Sequence, residues 1–223
     1  MTDNGSNVKS AFKDLSWLGC SGHNLNLVLS HTFSDEDSKM EINDILQLLS
    51  VCKNIVRYVK KSRIQTKLET SVKPAVATRW NSNLRMLQSV SKNVSRLRDI
   101  ANDETDKKLQ RLLIDVNDQL LTEVIDILRP FDDATRMLSA DKTPTLHLVI
   151  AGKVQLKKHL VAKSSDSSVG EALKSRLASK LDVYYHVQQL HKVAAVLDPR
   201  LKGSVLTESD KQAAVLELKS LVT

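Results

Sequence analysis

The sequence predicts a mainly α-helical protein, and three observations carry that expectation. Leu, Val and Ile recur at spacings of three and four over long stretches, with only 6 Gly and 4 Pro in 223 residues to interrupt them. That is the pattern of helices with one buried face. Aromatic residues make up 4% of the chain, few for a sandwich of short strands, and the 41% apolar share is ordinary for a globular core.

Met1-Thr2-Asp3-Asn4-Gly5 reads as the end of a strand entering a turn, because Asn-Gly supplies positive-φ chemistry and Asn4, Ser6 or Asn7 is placed to cap the next helix. Val8, Ala11, Phe12, Leu15 and Leu18 mark that helix, and a second, short one spans 23–29. After a polar loop at 34–38, Ile42, Ile45, Leu46, Leu49, Cys52, Val56 and Val59 mark one long helix, with Cys52 on its buried stripe. A basic helix or helical turn comes next at 60–69. Pro74 then breaks the pattern, so 75–77 reads as an extended approach to Thr78-Arg79-Trp80.

Asn81 or Ser82 is placed to cap a helix running through Leu84, Leu87, Val90, Val94 and Leu97, and 103–105 marks the next start. The stripe from Leu109 to Leu128 is the longest and is expected to end near Pro130. Further helices are expected at 132–139, 144–161 and 170–188, the last two separated by a serine-rich flexible linker at 163–168. Val193-Ala194-Ala195-Val196-Leu197, short, apolar and closed by Asp198-Pro199, reads as a strand, and a terminal helix spans 209–221.

The formal charge of +7 is unevenly spread. Residues 53–98 hold twelve basic side chains against one acid, Glu69, a local +11 that leaves the rest of the chain at −4. Phosphate neutralisation by side chains needs such a stripe, although solvated faces of amphipathic helices produce it too. Two cysteines make no disulfide framework, no apolar run approaches the ~20 residues of a membrane span, and Met1 is followed by polar Thr2, Asp3 and Asn4 where a signal peptide would turn apolar. A reducing compartment, cytosol or nucleus, is the expectation.

Several short motifs bear chemistry. Asp3 at a strand end is where α/β nucleases present a metal-binding carboxylate, yet two-metal phosphoryl transfer needs several such groups. Cys20 and His23 share a helix face and offer two zinc ligands where a closed site needs four; packing and hydrogen bonding is the competing role. Arg79-Trp80 joins a guanidinium for a phosphate to a flat ring for an unstacked base, against the alternative of a Trp anchoring a helix start in the core. His147, His159, His186 and His191 share no ligand spacing, and no Gly-rich phosphate loop is present.

Taken in order, Asp3-Asn4-Gly5-Ser6-Asn7, Cys20-Ser21-Gly22-His23, Thr78-Arg79-Trp80-Asn81-Ser82, Leu128-Arg129-Pro130-Phe131-Asp132-Asp133-Ala134-Thr135, Pro144-Thr145-Leu146-His147-Leu148-Val149-Ile150 and Leu197-Asp198-Pro199-Arg200 resemble the hAT superfamily of DNA transposases, and within it the domesticated BED-type zinc-finger proteins. The resemblance implies an RNase H-like α/β fold interrupted by a large helical insertion. On that reading 1–29 is a remnant of the RNase H-like core, 30–190 the all-helical insertion, and 191–223 the return strand and helix. Asp3 then resembles the second acid of an Asp-Asp-Glu triad, a ligand of Mg2+ or Mn2+ in an active transposase, and Trp80 the tryptophan that supports a flipped base. Cys20 and His23 resemble the family's Cys-x-x-His.

The other triad acids have no match in a motif, so the expectation is a fragment that is catalytically inactive alone and needs no cofactor itself, zinc entering only through a BED finger outside this chain. The resemblance also implies a nuclear protein whose partner is DNA, met through Lys60, Lys61, Arg63, Arg79 and Trp80, with self-association through a full-length form. An active transposase supplying one acid, and a protein-interaction scaffold, are the competing functions.

Overall fold

The computed structural model describes Ser10 and residues 18–34, 40–76, 80–140 and 142–222. The turn at 1–6, with Asp3, and most of the expected helix at 8–18 lie outside the described residues. Nine α-helices occur among the described residues: α1 Ser21–Ser34, α2 Asn43–Lys61, α3 Trp80–Asp103, α4 Lys107–Ile114, α5 Asp118–Leu138, α6 Leu148–His159, α7 Ser168–Tyr184, α8 Gln189–Leu197 and α9 Glu208–Val222. Short 3₁₀ turns at Met40–Ile42 and Arg63–Lys67 flank α2. No described strand is longer than a single bridge residue, and no described helix is long and apolar enough to cross a membrane.

The chain divides into two compact units: the described parts of Met1–Thr32, Pro130–Val161 and Arg176–Thr223 form the first, and Phe33–Arg129 with Ala162–Ser175 the second. In the second unit, α2 buries Ile45, Leu48, Leu49, Cys52, Ile55, Val56 and Val59, one stripe at helical spacing. Burial pushes the Cys52 thiol up to about 12, so it is an inert core group. Asp106 caps α4 by accepting from Lys108 N at 3.1 Å and Leu109 N at 3.0 Å, and it also accepts from the Tyr58 hydroxyl of α2 at 2.9 Å. The long stripe from Leu109 to Leu128 is thus two helices, because Asn117 accepts from Leu120 N at 3.0 Å and starts α5 afresh. Arg98 grips Asp118 with two parallel bonds of 2.7 and 2.9 Å, which ties α3 to that start.

Residues 163–168, expected as a flexible linker, are an ordered capping turn. Ser167 donates its N–H and hydroxyl to Glu123 at 2.8 and 2.6 Å, and its hydroxyl accepts from Gly170 N at 3.0 Å. A Cβ at Gly170 would meet the Glu123 carboxylate and push it from its place beside Ser167. Asp166 accepts from Lys163 N at 2.7 Å and from Lys174 Nζ at 2.6 Å. The Lys174 side chain is only 4% exposed, so this turn carries a buried charge and its partner. Composition alone misses such a turn because serine and aspartate serve linkers and helix caps equally.

In the first unit, α1 buries Leu25, Val28 and Leu29, and Arg176 Nε donates 2.6 Å to the Thr32 carbonyl near its C-terminus. Tyr185 is fully buried; its hydroxyl donates to Val149 O at 3.1 Å, and Lys153 Nζ donates to Tyr185 O at 2.9 Å. The expected strand Val193–Leu197 is instead the body of α8. A capping box between Gln188 and His191 opens this helix, Val193 and Ala195 face the core, and Asp198-Pro199 ends it. An apolar five-residue run fits strand or helix by periodicity, and the cap upstream decides. Gly203, at φ +68, then turns the chain back toward α9 with its N–H on Ala195 O at 3.0 Å.

Pro130 does not end the stripe either: it lies inside α5, which continues through buried Phe131, Ala134 and Leu138. The apolar face beyond it offsets a cost of about 3 kcal/mol for an interior proline.

Lys174 and the Lys163 N–H hold the Asp166 carboxyl below its ordinary range, the side-chain bond being the larger cause. A lowered folded value means stability present above about pH 4 and lost as pH falls through the folded value. Asp166→Asn is expected to cost about 3 kcal/mol at neutral pH by orphaning Lys174, and to flatten the acid limb of a pH series of thermal melts.

Candidate nucleic-acid interface

The chemistry of the basic segment starts from an extended strap, residues 68–76, laid antiparallel along α3. Three polar side chains on one face of that helix hold it. Asn93 Nδ2 donates to Thr70 Oγ1 at 3.2 Å, Ser89 Oγ accepts from Lys73 N at 2.9 Å, and Ser82 Oγ accepts from Val76 N at 2.6 Å while donating to Val76 O at 2.9 Å. Ser89 and Asn93 are buried, and so is Val72 of the strap, at 1% exposure. The helix opens at Trp80, ahead of Ser82, so the Ser82 hydroxyl serves the strap in place of the expected cap.

Strap and helix enclose a cavity of about 370 Å³, lined by Thr70, Ser71 and Lys73 on one side and Arg85, Gln88, Ser89 and Lys92 on the other. Lys73, Arg85 and Lys92 are exposed and have no acidic partner among the described residues. Two other basic residues of the segment are paired: Lys67 with Glu104, and Arg98 with Asp118. Lys60 and Lys61 occupy the last turn of α2, where they also complement the negative end of the helix dipole, and Arg63 opens the 3₁₀ turn; all three are exposed. They do not line the cavity.

Arg79, like Asp3, lies outside the described residues. Trp80 is the first residue of α3 and is 6% exposed, with no hydrogen-bond partner for its indole N–H among the described residues. Cys20 is half-buried and starts α1, its carbonyl accepting from Asn24 N at 3.1 Å, while His23 sits half-buried in the first turn. Between them Gly22 packs tightly, since a Cβ there would stand 2.9 Å from Ser139 Oγ. No group of three His, Cys, Asp or Glu that would hold a metal occurs among the described residues.

Two other motifs meet in the first unit. Asp198 accepts from Arg200 N at 2.8 Å and Arg200 Nε at 3.1 Å, and its second oxygen lies 2.8 Å from Arg200 Nη2 and 3.1 Å from His147 Nε2. The Arg200 hydrogen bonds hold this carboxyl far below its ordinary range, with His147 adding to the effect. Both oxygens are occupied, so Asp198-Pro199-Arg200 ties a turn to the start of α6.

Sequence reasoning misses both the strap cavity and this tie. The first has a signal, since Arg85, Gln88 and Lys92 stand at i, i+3 and i+7 of one helix face. The second has none, because His147 and Asp198 are far apart in the chain.

The site is a cationic surface borne on helices, in a mainly helical chain whose sequence is similar to that of a transposase. The chain is 31% identical over 221 residues to the Transposable element Hobo transposase of Drosophila melanogaster, covering 98% of this chain and 32% of that protein. It is 30% identical over 188 residues to Zinc finger protein 618 of Mus musculus and of Homo sapiens, covering 83% of this chain and 19% of those proteins. The chain therefore spans about a third or less of the length of these relatives. No family model matches it.

Ser89→Ala leaves the Lys73 N–H without its acceptor. The expected cost is about 1 kcal/mol, with faster hydrogen exchange at the amides of Lys73 and its strap neighbours and unchanged exchange in α2.

Proposed function

We propose that this chain is a transposase-derived DNA-binding module that is catalytically inactive by itself. The observation that carries the reading is the exposed run of cations on α2, the 3₁₀ turn, the strap and α3, most of it without an acidic partner among the described residues. Its contact is with phosphates, so binding is electrostatic and falls steeply with salt. Likeness to the Hobo transposase supports DNA as the partner and the nucleus as the location. An RNase H-like frame around the helices, to which 191–223 contributes a helix in place of the expected strand, belongs to the same reading. So do a BED-type finger in a full-length form and self-association of that form.

In this reading Lys60, Lys61 and Arg63 contact the backbone, Arg79 binds a phosphate and Trp80 supports a displaced base. The role of Trp80 requires the ring to leave the buried position it holds here. Cys20 and His23 act through packing at the start of α1.

Likeness to a transposase also favours one alternative, that Asp3 supplies one carboxylate to a Mg2+ or Mn2+ centre of an active enzyme. Metal-dependent nicking of DNA that disappears in Asp3→Asn would establish it; indifference to that change would remove it.

For the binding module, Lys60→Glu, Lys61→Glu and Arg63→Glu together are expected to weaken binding to duplex and hairpin DNA at low salt by more than tenfold, and to reduce the salt slope by about 2 to 3. Anisotropy titrations across a salt series measure both. No detectable binding by the unaltered chain at low salt would end this reading.

A further inference from the structure

We propose that the cavity between the strap and α3 is a phosphate seat that takes one phosphodiester of a nucleic-acid strand, a site that deepens the DNA-binding reading and rests on it. Three basic residues line about 370 Å³, Lys73 from the strap and Arg85 and Lys92 from one face of α3. Among the described residues no carboxylate lines the space and none of the three cations has an acidic partner. This sets them apart from Lys67 and Arg98 of the same segment, which are spent on Glu104 and Asp118.

The seat is built because its base is fixed. The Lys73 backbone is bonded to buried Ser89 at 2.9 Å, and Thr70 is bonded to buried Asn93 at 3.2 Å, so the strap presents Lys73 and the Ser71 hydroxyl from a constrained backbone. Arg85 supplies a planar fork suited to two phosphate oxygens, and the lysines supply point charges. No aromatic ring lines the cavity among the described residues, which offer a base nothing to stack on. The ligand group is therefore the backbone phosphate, and the contact is indifferent to sequence.

The test uses the full chain, a labelled oligonucleotide in single- and double-stranded form, and inorganic phosphate as a separate probe. In Lys73→Gln/Arg85→Gln/Lys92→Gln, with folding verified by circular dichroism, the seat requires binding about tenfold weaker or more at low salt and a salt slope smaller by about 2 to 3. It also requires that inorganic phosphate shift the amide resonances of Lys73 and Ser89 in the unaltered chain and not in the triple variant. Retention of the original affinity and slope by the triple variant, while the unaltered chain binds DNA, overturns the seat and leaves the DNA-binding reading standing. If the unaltered chain binds no DNA but phosphate still moves those amides, the DNA reading falls and a free-phosphate site is established. If neither probe has an effect, both fall.

Discussion

An extended segment must place its backbone polar groups somewhere, and among the described residues 68–76 join no ladder beyond the single bridge at Val76. Side chains of α3 take that part. Ser82, Ser89 and Asn93 stand at i, i+7 and i+11 of one helix face, and their partners run back along the strap in reverse order, Val76, Lys73 and Thr70. Pro74 helps by removing one N–H that would otherwise need an acceptor. With these bonds in place Val72 is buried, Lys73 is anchored at its backbone, and the neighbouring helix face, carrying Arg85, Gln88 and Lys92, is left free to line a cavity. The same three attachments therefore serve the packing of the second unit and the shape of its cationic surface.

Polar side chains set boundaries elsewhere too, where apolar periodicity alone would run on. Asp106 and Asn117 divide one apolar stripe into α4 and α5, and Ser167 with Glu123 fixes the start of α7. Gln188 with His191 opens α8 in a segment whose composition also suits a strand. His191 accepts from Gln188 N through Nδ1, and burial lowers its affinity for a proton, so the capping ring is neutral. Each cap supplies acceptors for N–H groups that a helix start leaves unpaired. Apolar faces then give these helices their stability, and the caps give them their limits.

Legibility in the sequence divides along the same line. The buried stripe of α2, with Cys52 on it, is legible because Ile45, Leu49, Cys52, Val56 and Val59 recur at spacings of three and four and all five are buried; Leu48 and Ile55, also buried, widen it beyond what the spacing marks. The extended approach before α3 is legible from Pro74. Val193–Leu197 is not, since five apolar residues cannot distinguish the two periods, nor is the continuity of α5, where the apolar face beyond Pro130 outweighs the local penalty. At the candidate site, the charge of residues 53–98 is visible in the sequence, but its partition is not. Lys67 and Arg98 lose their availability to Glu104 and Asp118, acids that lie 37 and 20 residues further on. Which cations remain for a ligand is a fact of tertiary structure.

That partition bears on the kind of recognition this surface can perform. Trp80 is buried, and Asp198 is consumed by Arg200 and His147, which leaves cations as the exposed chemistry of the described motifs. Cations on phosphates fix register and orientation, but they carry no sequence information. On the proposed reading, such a module would raise the affinity for any DNA in a salt-dependent way and leave selectivity among sites to contacts of another type. The matched regions make up only 32% of the Hobo transposase and 19% of Zinc finger protein 618, so in those proteins the counterpart of this chain sits among other segments. On the proposed DNA-binding reading, a sequence-blind holding surface suits that arrangement: it would lengthen residence on DNA without competing with a specific reader for the choice of site.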